Sequence, residues 1–260
     1  MQIIILGIEI LGISILVALM GLYIVRRAVG VDRLKHHHEV AGFIIGIVGT
    51  IYAVLLAFMV VVQWGKYQDA STLVTTEANV LGDMSRMAEG LSAEQRLQVL
   101  TQLRDYSQLV VDDEWPALAN GNASDKVTDV LNKLWKNYIN DQKPQTPAET
   151  AMYTESLRRL NELSDTRRLR INASRDLVPA MLWTLLIGGG VTTVAFTFLF
   201  GVNDVRAQFL MVAALTGEIA FILLLLVALD NPFKGSLAVS ADPIHEQADH
   251  IGGRLAKGGF

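Results

Sequence analysis

The 260-residue chain contains no cysteine, which excludes disulfides, zinc–thiolate sites and a thiol nucleophile. Charge is scarce: Asp, Glu, Lys and Arg make up 18% of residues, and the net charge is -4. With no basic excess and no nucleic-acid module, nucleic acid is not an expected partner. The sequence also lacks a phosphate-binding glycine loop, a His-Glu-x-x-His pair and a glycine-flanked nucleophile elbow. An enzyme is therefore not expected, and neither is a cofactor. Apolar residues are what the chain has in quantity. At 51% hydrophobic and mean hydropathy +0.35, it is too apolar for an ordinary soluble domain.

Four uncharged or nearly uncharged runs predict four transmembrane helices. The first, residues 3–25, has no basic residue before it, is too long for a signal core and ends in Arg26 and Arg27, so it reads as a retained span. Glu9 lies within it away from the centre, where an acid snorkels to the near interface or faces other helices. The second, residues 40–62, carries its small residues on one stripe: Gly42, Gly46, Gly49, Ala53 and Ala57. Such a stripe serves either close helix packing or the lining of a pore. Ile44, Ile47, Ile51, Leu55, Phe58 and Val62 take the opposite, lipid-facing side. The third span, residues 177–202, offers a second small face at Gly189, Thr193 and Thr197, an expected partner for the first stripe. Glu218 sits near the middle of the fourth, residues 209–229, and is expected to be buried, paired or protonated.

Between the spans the pattern turns amphipathic. Tyr67, Ala70, Val74, Glu77, Leu81, Met84, Ala88 and Leu91 form a heptad-like seam, and no proline or glycine pair interrupts residues 60–71. The second helix should therefore run on well past the bilayer and pack on the helix ending at Arg175. Ser92 and Gln95 cap a further helix with Leu97, Leu100, Leu103 and Tyr106 inward, expected to end near Trp115 and Pro116. Thr146, Pro147 and Glu149 start a long helix with Tyr153, Leu157, Leu160 and Leu163 inward. Two clusters could bind metal, His36 to His38 and Asp112 to Glu114, but neither has ligand spacing, so no metal site is expected. Arg167, Arg168, Arg170 and Arg175 crowd the end of the long helix, where they could anchor lipid phosphates or gather anions at a mouth.

These segments divide the chain into a first transmembrane hairpin (1–64), an extramembrane helical domain (65–177), a second hairpin (178–230) and a C-terminal tail (231–260). The fold class is thus an all-α integral membrane protein, with a helical domain inserted between its second and third transmembrane helices. The charge following the first helix, Arg26, Arg27, Arg33 and Lys35, places the termini and helical domain outside the cytoplasm of the cell inner membrane.

The chain resembles the bestrophin-like domain-of-unknown-function family of bacterial membrane proteins. The likeness rests on Gly49, the run Tyr52 to Phe58, Trp64, Tyr67 and Ala70. It continues through Arg167, Arg170, Pro179, Leu182 and Trp183 to the exit Leu229-Asp230-Asn231-Pro232-Phe233-Lys234-Gly235. The remote link to bestrophins implies a homo-oligomer, a pentamer by analogy, that passes inorganic ions, anions among them, with the second membrane helix at the axis. It also implies the reverse orientation to that read from charge. The alternative is a non-conducting membrane sensor or scaffold whose helical domain binds a partner or ligand. Membrane lipids are partners under either reading.

Overall fold

The computed structural model describes residues 2–29, 38–141 and 144–257, with side chains described over 7–29, 41–140 and 144–256. Among them all regular structure is helical. The chain divides into two compact units, Met1–Gly65 with Val178–Asp230, and Lys66–Leu177 with Asn231–Phe260.

The first unit holds α1 (Gln2–Val29), the start of α2 (His38–Met87), α7 (Ala180–Thr197) and α8 (Val205–Asp230). These four helices are long and apolar enough to cross a membrane. Most of their surface remains outward and apolar, as lipid requires, and a narrow stripe on each is buried. Ala18 and Leu22 of α1 meet Val212 of α8, with Phe198 against them. Tyr52, Leu56 and Met59 of α2 pack with Leu186, Ile219 and Leu226.

The glycines of α7 serve this second cluster. A Cβ at Gly189 would lie 2.6 Å from the Tyr52 ring, and one at Gly190 would lie 2.8 Å from its hydroxyl. The ring thus sits directly on bare α7 backbone, and the Tyr52 hydroxyl donates to the Leu186 carbonyl at 2.9 Å. The expected pairing of Gly189 with the Gly42–Ala57 stripe is corrected here: an aromatic side chain fills the glycine hollow instead. At one end Asp204 Oδ1 caps α8, accepting from the Arg206 and Ala207 backbone at 2.9 and 3.2 Å. At the other, Asp230 Oδ1 accepts from the Val178 backbone N–H at 2.7 Å and from Gln63 at 3.3 Å.

α2 runs unbroken for 50 residues, as its sequence predicts. In the second unit its seam is inward: Ala70, Val74, Glu77, Leu81, Met84 and Ala88 are all buried. Against it pack α3 (Ala93–Leu109), α4 (Trp115–Leu118), α5 (Asp125–Lys136), α6 (Pro147–Arg175) and α9 (Asp242–Lys257). Ser92 accepts from the Gln95 N–H at the start of α3, and Thr146 and Glu149 form a full capping box on α6. Leu97 is exposed, and Val99 takes the inward place expected for it.

One expectation is refined in this unit and another fails. The helix through Tyr106 is not broken ahead of Pro116, although it does end close by, at Leu118. It widens into a π-turn over Val110–Glu114 and continues as α4. The wider turn spares Pro116 the clash its ring would make with the carbonyl four residues back, and the proline has no N–H to leave unpaired. Residues 231–257 are not the expected tail. Phe233 is buried edge-on against Trp115, with ring centroids 5.5 Å apart, and Val239 donates back to the Pro232 carbonyl at 2.8 Å. Gly235 turns the chain at φ 92°, a conformation that favours glycine. α9 follows and buries Ile244, Ala248 and Ile251. Gly252 and Gly253 lie inside it, whereas Gly258 and Gly259 fall outside the described residues.

Candidate functional site

Of the four arginines at the end of α6, the structure brings two together inside the helical unit. Arg167 and Arg170 fall on the same face as Leu160, Leu163 and Ser174, and that face is buried. Arg170 is wholly enclosed, with its Nε 2.6 Å from Glu77 Oε2 and an Nη 2.7 Å from Glu114 Oε1. Arg167 pairs with Glu114 Oε2 at 2.5 Å and donates to the Ser124 carbonyl at 3.1 Å and to the Thr128 hydroxyl at 3.0 Å. Tyr106 donates to Glu77 at 2.7 Å, and the Trp115 ring lies 5.4 Å from the Arg170 guanidinium. Two acids and two guanidiniums thus neutralise one another where water is excluded.

The reading of Arg167 and Arg170 as an exposed basic cluster is corrected by this geometry. Arg168 and Arg175 are exposed, but Arg168 pairs with Asp165 and Arg175 donates to the Gly121 carbonyl. The acidic run is split between the interior and the surface. The π-turn sends Glu114 inward, while Asp113 meets Lys126 at 2.6 Å and Asp112 accepts from Gln108 at 2.9 Å. Among the described residues no cluster of His, Asp and Glu could hold a metal, and the run His36 to His38 lies outside those with described side chains.

Burial alone would raise the Glu114 carboxyl, but Arg167 and Arg170 and the Ser124 N–H hold it below the usual carboxylate range. Burial, reinforced by Glu77, pushes the Tyr106 phenol well above its ordinary value. For a depressed carboxylate the stability gain is present above its unfolded value of about 4.3, and is lost as pH falls through the lower folded value. Acidification from about pH 6 toward about pH 3 should therefore lower the melting temperature of the helical unit, read by circular dichroism. Glu114→Gln should flatten that dependence, and an unchanged slope would show that Glu114 does not carry it.

In the membrane unit the small stripe of α2 is open rather than packed. A Cβ on Gly46 or Gly49 would meet nothing within 4 Å, and Ala53 and Ala57 are exposed. Gly42 alone approaches a neighbour, Phe200, at 3.8 Å. The stripe adjoins the face that carries Tyr52, Leu56 and Met59 but is not part of it. Glu9 and Glu218 are both exposed. Within the subunit the inward positions of α8 are Val212, Thr216, Ile219 and Leu226, and Glu218 falls off that face.

The Bestrophin-like domain model matches residues 12–244. The chain belongs to the Bestrophin-like family. Its fold is shared by solved structures of a bacterial bestrophin homologue from Klebsiella pneumoniae. One of these superposes with a TM-score of 0.69 at 12% identity, covering 95% of this chain and 97% of that one. A single-substitution variant of the same homologue gives 0.71 at 12% identity, covering 96% and 97%. At that identity the likeness is one of fold. No curated protein matches the chain. The Bestrophin-like fold thus covers both the four membrane helices and the helical unit with its buried arginines.

Proposed function

We propose that this Bestrophin-like protein assembles as a homo-oligomer, five-fold by the bestrophin likeness, and conducts ions, anions among them, along a path lined by α2. The observation that carries this reading is the open face of Gly46, Gly49, Ala53 and Ala57 on a helix otherwise anchored by Tyr52 and Met59. Backbone bared on the outside of a subunit suits either an axial path or contact with another copy, and an oligomer provides both. Assembly also supplies a setting for Glu218. A carboxylate in the middle of an apolar helix costs about 2.5–3.5 kcal/mol facing lipid, and a neighbouring copy or a wetted path relieves that cost.

A non-conducting sensor or scaffold is the second reading. The small polar content of the α2 face favours it, since Thr50 already spends its hydroxyl on the Gly46 carbonyl at 2.7 Å. Counting subunits by native mass spectrometry and measuring flux in liposomes separates the two: flux supports the channel, and a tight oligomer without flux supports the scaffold. We place the protein in the cell inner membrane with its termini outside the cytoplasm, because Arg26 and Arg27 follow the first helix. A reporter fused after Phe260 that is active only in the cytoplasm reverses this orientation.

A further inference from the structure

In the helical unit, the end of α2, α3 and α9 flank a groove of about 1010 Å³ that neither the buried ion pairs nor the membrane helices use. Its size suits a ligand as large as a nucleotide. Arg86 enters it from α2, Arg96 from α3, and His250 and Arg254 from α9. Two acids also face it. Glu89 is paired with Arg254, and Asp249 lies 3.5 Å from His245. Arg86 bonds Asp83 at 2.5 Å outside the lining, and Asp83 is also met by Arg159 at 3.4 Å. The lining therefore holds three guanidiniums and an imidazole against two carboxylates.

Gly253 lines the groove and is exposed to it. Gly252 and Gly253 sit inside α9, where glycine is the least favourable residue after proline. Close packing within the chain accounts for Gly82, whose Cβ would lie 2.9 Å from Gln247 on α9, but a Cβ on Gly252 or Gly253 would meet nothing within 4 Å. The pair bares helix backbone toward open space, where something from outside the fold can come close. Leu100 is the one large apolar side chain of the lining, and it is buried, so the groove offers no platform for a lipid tail.

We infer that this groove binds a soluble polyvalent oxyanion, a phosphate ester or polyphosphate, between Arg96, Arg86 and Arg254 and over Gly253. Guanidinium forks from different helices match such a ligand bidentately. The site is independent of the conduction reading.

The test uses the full-length protein in phospholipid-free detergent, with inorganic pyrophosphate as probe at ionic strength held constant by sodium chloride. Isothermal titration should show saturable binding. Arg96→Ala should weaken it by about tenfold or more, as for loss of a charge-assisted hydrogen bond. Gly253→Leu puts a bulky side chain into the groove lining at a position whose Cβ meets nothing within 4 Å, so it should abolish binding while leaving the unliganded melting temperature unlowered. No saturable binding to the wild type, or unchanged binding in Gly253→Leu, overturns the inference. A drop in subunit number for Gly253→Leu, read by native mass spectrometry, overturns it in favour of contact with a second copy.

Discussion

Arg170→Met is expected to unfold the helical unit or bring it close to unfolding. Arg170 is fully enclosed and ties Glu77 on α2 to Glu114 in the π-turn. Removing it leaves two buried carboxylates with one guanidinium, and breaking a buried pair from one side costs about 3–5 kcal/mol. A domain typically holds only about 5–15 kcal/mol in all, so the loss is a large fraction of its stability. Arg168→Met, three residues from a solvent-exposed Asp165, should change stability by no more than about 0.5 kcal/mol. Adding Glu77→Leu to Arg170→Met should cost less than the sum of the single changes, because it removes one of the stranded charges. Denaturant melts of the solubilised protein provide the comparison. Equal melts for the Arg170 and Arg168 variants would mean that the network contributes little.

The second large effect concerns Gly46. Its Cβ direction is open, so Gly46→Leu should fold within the subunit as the wild type does. In an assembly with α2 at the axis, the added side chains project into the narrow path and should abolish flux while the oligomer survives. If the stripe is a packing contact between copies, the same change overpacks it by about 1–3 kcal/mol and lowers the subunit number instead. Ile47→Leu, on the exposed lipid side, should be silent in both assays.

Much of this architecture is written in local periodicity. The seam from Ala70 to Ala88 sits inward as its spacing dictates, and the Thr146 and Glu149 box marks the start of α6. What was hard to read was charge on inward positions. Arg167 and Arg170 continue the spacing of Leu160 and Leu163, which assigns them to the core, but four arginines close together look like a surface cluster. Their partners come from far along the chain: Glu77 interrupts an apolar seam, and Glu114 is turned inward by a π-turn that shifts helical phase. α9 is legible in the spacing of Ile244, Ala248 and Ile251, while the glycine pair inside it is unfavourable to helix and obscures that signal. The direction of Tyr52 into the α7 glycines depends on how helices pack, which the pattern of one helix does not encode.

Conduction through a Bestrophin-like oligomer is tested most directly by ion flux from liposomes containing the purified wild-type protein. Flux above that of protein-free liposomes, for chloride salts and for other anions, and lost in Gly46→Leu, is the predicted result. Flux no greater than in empty liposomes across several salts, from a protein that remains folded and oligomeric, would contradict it.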